Sequence, residues 1–198
     1  YIAGVNAGNS IESGGNYNVT VGDEAGTAIT TGDNNVAVGY AALDANTTAD
    51  NNTGVGYNAL GANTTGASNA AVGHGALFSH TTGTRNNAVG MSALYTTTTG
   101  NYNCSFGYTS LAFNTTADGN SAFGDSSMYT NTTGASNTAV GMASLYGNTT
   151  AANNTSVGYY SLFTNTTGAN NTAHGFQALY ANTTGSSNTA VGLNALLL

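Results

Sequence analysis

A glycine recurs every 17 residues along this chain, eleven times from Gly22 to Gly192, and an asparagine stands four residues before each one, from Asn18 to Asn188. Between these fixed points the sequence idealises to N-T-A-V-G-Y-x-A-L-Y-x-N-T-T-G-x-x. A strict period of this length is typical of a solenoid, in which each repeat forms one coil and stacks on its neighbours because it cannot bury a core alone. The positions of each coil are numbered from 1, the asparagine, to 17.

The chemistry of each position predicts its place in the coil. Position 3 is always small, position 8 is always Ala or Ser, and position 4 is Val or Phe in ten of eleven coils, with His174 as the exception. The residue pattern over positions 1 to 4 predicts a short strand of about four residues. Glycine at position 5 predicts a corner with positive φ. We expect the valines of position 4 to form one buried row, as for Val38, Val55, Val72 and Val89.

Positions 9 and 12 vary together. Position 9 is Leu or Met except where Gly26 stands there, and in that coil position 12 is Ile29, whereas every later coil has a polar residue at position 12. The opening segment, with Gly8 and Ile11, follows the same variant. We therefore expect the two positions to fill one interior space, so that Leu43 takes the volume that Ile29 fills one coil earlier. Their separation of three residues favours a tight bend or a helical turn over a strand.

These features predict an all-β repeat protein, a β-solenoid or β-roll of 17-residue coils. Each coil would contain a short strand, a glycine corner, an Ala-Leu bend or helical turn and a Thr-Thr-Gly return. Residues 1–17 form a variant first coil with one additional residue near Gly15, and residues 18–198 form about ten and a half coils of one continuous repeat domain. At about 4.8 Å per coil, the stack makes a rod of about 55 Å. Because the chain opens on Tyr1 and Leu198 falls in mid-coil, we expect it to be part of a longer protein.

The composition excludes several classes of function. Charged residues make up 5% of the 198, the net charge is −7 and Arg85 is the one Lys or Arg, so nucleic acid is not an expected partner. No apolar run is long enough to insert into a membrane. The single cysteine, Cys104, cannot form an internal disulfide. The histidines occupy three different repeat positions, and no catalytic arrangement stands out, so we expect no enzyme, no metal and no cofactor.

The repeat is similar to those of a known class of fibre proteins. Tracts such as residues 137–150, Asn-Thr-Ala-Val-Gly-Met-Ala-Ser-Leu-Tyr-Gly-Asn-Thr-Thr, resemble the repeat region of bacteriophage tail-fibre proteins. More loosely, they resemble the head repeats of trimeric autotransporter adhesins, whose repeats are shorter. The resemblance covers essentially the whole chain and implies a trimeric, rod-like segment that is extracellular or lies on the virion surface. The expected function is a non-enzymatic, stiff spacer that presents receptor-binding parts of a fibre or adhesin.

Aromatic residues recur at two repeat positions. Position 6 is Tyr or Phe in five coils, and position 10 in six: Phe78, Tyr95, Tyr129, Tyr146, Phe163 and Tyr180. Since the Val and Leu columns already supply one core, two aromatic columns would leave an apolar stripe along the rod. We expect these columns to be buried between the chains of a parallel homotrimer, in which identical positions meet, with Tyr95, Tyr129, Tyr146 and Tyr180 largely buried between chains or against the neighbouring coil. The alternatives are a stack of exposed rings and a binding site for cell-surface glycan.

Two further patterns leave alternatives open. The Thr-Thr pair at positions 13 and 14 suggests ice binding, but adjacent residues face opposite sides, so one rank alone could face outward. Position 12 begins an N-x-T sequon in seven coils, which in a secreted eukaryotic chain would give a glycan-coated fibril. The same pattern arises from Asn-Thr-rich turns without any glycan. The sequons begin at Asn46, Asn63, Asn114, Asn131, Asn148, Asn165 and Asn182.

Overall fold

One parallel sheet of twelve short strands runs the length of the protein in the computed structural model, which describes residues 2–12 and 14–197. Each strand pairs with the next one along the chain, so every coil contributes one strand to the stack. The fold is therefore an all-β solenoid, as the repeat predicts. The strands are β1 (Ile2–Ala3), β2 (Val19–Val21), β3 (Val36–Val38), β4 (Thr53–Val55), β5 (Ala70–Val72), β6 (Asn87–Val89), β7 (Cys104–Phe106), β8 (Ser121–Phe123), β9 (Thr138–Val140), β10 (Thr155–Val157), β11 (Thr172–His174) and β12 (Thr189–Val191).

The pairing register follows the sequence period. From β2 onward each strand residue pairs with the residue 17 positions later, whereas Ile2 of β1 pairs with Thr20, 18 positions later. The offset changes between Glu12, whose amide donates to the Thr30 carbonyl, and Asn16, whose amide donates to Asp33 Oδ1. Residue 13, beside this change near Gly15, lies outside the described residues. So do residues 1 and 198, on which the expectation of a longer chain was based.

The strands bury their middle residue and turn their two outer residues outward. Position 3 is buried in all eleven coils from β2 to β12, whereas positions 2 and 4 are half-buried or exposed. The predicted buried row of valines is therefore wrong. Val38, Val55, Val72 and Val89 stack in register, but on the outside of the rod, and Val72 is 40% exposed. The strands are also one residue shorter than predicted, since position 1 lies outside them.

The reason for this orientation is the narrow interior. At position 3 of one coil, a Cβ added to Gly54 would lie 2.9 Å from the Ala59 carbonyl oxygen and 3.4 Å from Leu43 Cγ. Only small side chains fit at such a place, so position 3 faces inward and the alternation of the strand puts position 4 outside.

The core of each coil is one large side chain packed against small ones. Position 9 is 0% exposed from Leu43 to Leu162, and the alanines and serines of positions 3 and 8 surround it. Where Gly26 stands at position 9, a Cβ on it would lie 2.8 Å from Ile29 Cδ1, and Ile29 is itself fully buried. Ile29 therefore fills the volume that leucine takes in later coils, which confirms that positions 9 and 12 share one space.

The Ala-Leu segment is a bend and not a helical turn. The backbone has positive φ at positions 7, 9 and 17 of the coils, with Leu43 at +51° and Leu94 at +52°. Amides of this bend donate to the coils on both sides: Leu43 to the Ala59 carbonyl at 3.0 Å, and Ala41 to the Asp23 carbonyl at 3.0 Å. These bonds satisfy backbone groups that a helix would otherwise pair. No helix among the described residues is long and apolar enough to cross a membrane.

Candidate functional site

A ladder of asparagine side chains at position 1 runs through the interior of the rod. Asn103 is typical of the column: its Oδ1 accepts the backbone N–H of Asn120, one coil later, at 3.0 Å. Its Nδ2 donates across the coil to the position-15 carbonyl of Ala117 at 2.8 Å. One side chain therefore joins the start of its coil to the end of the same coil and to the next coil. This double role requires a donor and an acceptor on a short side chain, which explains why position 1 is always asparagine.

Position 12 forms a second buried ladder, and this bears on the sequons. Asn63 Nδ2 donates to Asn46 Oδ1 at 2.8 Å and to the Gly66 carbonyl at 2.9 Å. Six of the seven sequon asparagines are fully buried, and Asn182, near the end of the stack, is half-buried and makes the same bonds. A glycan on Nδ2 would replace a donor that the ladder uses and would have to enter a packed interior. The folded coils therefore disfavour glycosylation at Asn46, Asn63, Asn114, Asn131, Asn148, Asn165 and Asn182.

The position-12 ladder is interrupted by a histidine. His80 is fully buried, and its Nε2 lies 2.8 Å from the Gly83 carbonyl oxygen, where asparagine would place Nδ2. Its Nδ1 has no partner, and neither has Oδ1 of Asn63 in the preceding coil. Desolvation by burial lowers the pKa of His80, although the hydrogen bond to Gly83 opposes this. A neutral imidazole thus occupies the ladder at the expense of two unsatisfied polar atoms.

We expect His80→Asn to stabilise the protein by about 1–3 kcal/mol, because it supplies the missing donor to Asn63 Oδ1. Because the pKa of His80 is lower in the folded protein, the unfolded chain, whose histidine has a pKa near 6.5, binds the proton first as the pH falls. The contribution of neutral His80 to wild-type stability is therefore complete above about pH 6.5 and is lost as the pH falls below this value. The advantage of the variant should therefore grow from pH 7 to pH 5. Urea denaturation at both values measures this, with Thr82→Asn at exposed position 14 of the same coil as the control. Equal midpoints for His80→Asn and wild type at both pH values would contradict the interpretation.

The position-10 aromatic residues form stacks along the rod. All six are half-buried, and the centroids of Tyr129 and Tyr146 lie 5.2 Å apart with their planes 12° from parallel. Phe78 and Tyr95 form a second stack with centroids 5.0 Å apart. Rings stacked in this way turn their faces toward one another and their edges outward, whereas a bound sugar ring needs an open face. The geometry favours a structural stack over a glycan-binding platform for Phe78, Tyr95, Tyr129, Tyr146, Phe163 and Tyr180.

The most exposed apolar surface lies elsewhere, at positions 4 and 6. These side chains flank the glycine corner from Val21 to Leu193 and are called the corner ridge from here on. The ridge contains thirteen of the twenty large hydrophobic side chains that are exposed in the described part of the chain, among them Tyr108 at 52% and Met142 at 48%. Of its 22 residues, 18 are apolar or aromatic, and the others are Asp23, His74, Asp125 and His174.

The two threonine columns face different environments. Position-13 hydroxyls donate to the position-13 carbonyl of the next coil, as from Thr132 to Thr149 at 2.9 Å. Position 14 is exposed in all ten coils that contain it. One rank of threonines therefore faces solvent, as predicted, and position 13 is used to join coils. A flat ice-binding face needs a second parallel rank, which the neighbouring position does not supply.

The remaining chemistry of the chain is sparse. The described residues enclose no pocket, and no three of their His, Cys, Asp or Glu side chains are grouped to hold a metal ion. Partial burial raises the pKa of the Cys104 thiol, which disfavours the reactive thiolate. The surfaces that can carry a function are therefore the outer columns of the rod.

Comparison of the chain with protein-family models, with curated proteins and with solved structures finds no match in any of the three. The resemblance to tail-fibre repeats therefore rests on the repeat sequence alone. The fold itself rests on the parallel register and the buried ladders, which place the chain among the β-solenoids.

Proposed function

We propose that this chain is a stiff, non-enzymatic spacer in an extracellular or virion fibre, where it holds receptor-binding parts away from an anchoring surface. The observation that carries the proposal is the continuous bonding between coils. The position-1 ladder joins every consecutive pair from Asn18 to Asn188, with N–H to Oδ1 distances of 2.8 to 3.0 Å throughout. Bending the rod at any level would stretch backbone and side-chain hydrogen bonds together, so no coil is a natural hinge.

A spacer also agrees with what the surface offers. Its outer columns run in register along the rod, and the exposed position 14 is threonine in all ten coils that contain it. A fibre segment requires length and stiffness rather than a concave site. The location outside a cell or on a virion follows from the resemblance to tail-fibre repeats.

The spacer is proposed to act as a parallel homotrimer, as the same resemblance implies. Support comes from the amount of apolar side chain that a single chain leaves exposed along one line. With charged residues at only 5% of the sequence, such a line would favour aggregation unless it were covered. Closed rotational symmetry covers it without leaving an open end for further growth sideways.

The test of the spacer is whether rod length follows coil number. Duplicating residues 52–136, which are five coils, should lengthen the particle by about 24 Å at about 4.8 Å per coil and leave its cross-section unchanged. Small-angle X-ray scattering measures both quantities. A control duplication of 52–127 adds a number of residues that is not a multiple of 17, so it should disrupt the register and the fold. A compact particle, or a length that does not increase with the five coils, would refute the spacer.

A further inference from the structure

We infer that the corner ridge, and not the position-10 aromatic column, is the interface through which copies of this chain associate side by side. The inference rests on the proposed function, since it names the surface that the fibre assembly uses. Of the two alternatives expected for position 10, it takes the column to be packed against the neighbouring coil and not between chains. Along each coil, the residues of the ridge precede the Ala-Leu bend and position 10 follows it.

Exposure separates the two columns. In the ridge, Tyr40, Tyr57 and Tyr108 are 48–52% exposed, and Phe176 is 43% exposed. No position-10 aromatic residue is among the exposed large side chains of the described chain. Stacking alone does not cause this difference, since Tyr40 and Tyr57 of the ridge also stack, with centroids 5.3 Å apart. The hydrophobic surface still available for a partner is therefore at positions 4 and 6.

The area of the ridge is sufficient for a stable interface. A half-exposed aromatic side chain offers on the order of 100 Å². Summed over its length, the ridge offers on the order of 1,000 Å² on each chain, and stable interfaces bury about 800 Å² on each partner. The ridge is also poor in charge, with Asp23 and Asp125 as its acidic residues and no Lys or Arg. An interface core depleted of charge is typical of permanent assemblies.

The period of the ridge identifies its occupant. Its side chains recur once per coil over eleven coils, with the spacing of the parallel strands. A partner can cover it from end to end only if its own apolar side chains have the same spacing. A second copy of this chain, parallel and in register, meets that condition at every level and brings each ridge residue next to its counterpart.

The first experiment compares three variants within one coil by sedimentation equilibrium. Wild type should sediment as a homotrimer, with three times the 19.6 kDa of one chain. Val140→Glu, in the ridge, should weaken association at least tenfold, whereas Thr150→Glu at exposed position 14 should not change it. Tyr146→Thr should also leave association unchanged; threonine already occupies position 10 in another coil, as Thr27. Far-UV circular dichroism checks that each variant keeps the fold. Dissociation by Tyr146→Thr but not by Val140→Glu would overturn the inference in favour of position 10.

A second experiment tests the parallel register. With Cys104→Ser as background, Met142→Cys should form a disulfide between copies on mild oxidation, because parallel chains bring this position to its own counterpart. Thr150→Cys should not. If Met142→Cys fails to cross-link with itself but does so with Tyr57→Cys, the chains are antiparallel and the in-register interface is wrong.

The failures of the two proposals are distinguishable. A wild-type monomer with the expected rod length would overturn the ridge interface and leave the spacer intact. A compact particle would overturn the spacer whatever its state of association.

Discussion

Gly73→Ala should destabilise the protein by about 3 kcal/mol or more, although it adds a single methyl group. The residue lies at a position-5 corner with φ at +134°, where an L side chain is strained by roughly 1–3 kcal/mol. Its Cβ would also lie 2.6 Å from the carbonyl oxygen and 2.7 Å from the carbonyl carbon of Gly90 in the next coil. Those atoms belong to the backbone, so the methyl group can be accommodated only if two coils move apart and lengthen the bonds between them.

Two other glycines separate the contributions to this cost. Gly192 has φ at +126° but nothing within 4 Å of an added Cβ, so Gly192→Ala tests the strained corner without the overlying coil. Gly119, in mid-rod at position 17, has φ at +69° and its nearest atom at 3.8 Å. Urea denaturation followed by circular dichroism should rank Gly73→Ala as much the most damaging of the three. If all three substitutions lower the free energy of unfolding by the same amount, the close stacking of the corners is not what restricts position 5 to glycine.

The sequence predicts the coil closely because the coil is determined locally and repeated. The 17-residue period, the positive φ at Gly22 and its equivalents, and the exchange between Gly26 and Ile29 can each be recognised in the chain and each is found in the structure. Every step of the stack repeats the same physical requirement, so eleven copies of a weak signal combine into a strong one. The predicted orientation of the strand is wrong, because the hydrophobic residues at position 4 suggest an inward side whereas the small size of position 3 is what the narrow interior requires.

The interior ladders could be predicted only in part. Asparagine at position 1 suggests a ladder, but asparagine is mostly a surface residue, and sequence offers no reason to bury two columns of it. The bond from Asn35 Nδ2 to the Ala49 carbonyl at 2.9 Å depends on how the coil closes, which brings positions 1 and 15 together. Because the sequence does not show how the coil closes, the position-12 asparagines resemble glycan acceptors. For the same reason, the sequence does not show which aromatic column is half-buried and which is left exposed.

Asn103→Asp should be the most informative change to the position-1 ladder. It replaces the Nδ2 amide group, which donates hydrogen bonds, by a carboxylate oxygen of similar size, which accepts them. Asn103 is fully buried, and its Nδ2 faces two acceptors: Asn86 Oδ1 at 3.1 Å and the Ala117 carbonyl at 2.8 Å. At pH 7 the carboxylate of the variant would set a buried negative charge against both oxygens. We expect a loss above about 3 kcal/mol, greater than that of Asn103→Ala, which leaves the same acceptors unpaired but buries no charge.

The pH dependence distinguishes the charge from the lost bonds. Burial beside two acceptors should raise the folded pKa of the new carboxyl above its unfolded value of about 3.9, since the neutral acid can donate to one of them. Below the unfolded pKa both states are protonated and the charge costs nothing; as the pH rises through the interval up to the folded pKa, the penalty grows. Relative to wild type at the same pH, Asn103→Asp should therefore be less damaging at pH 4 than at pH 7, while Asn103→Ala should differ from wild type equally at both. Urea midpoints of the three proteins at these two values decide the matter. A penalty for Asn103→Asp that does not change with pH would mean that its carboxyl reaches solvent, and that the ladder is not closed at this level.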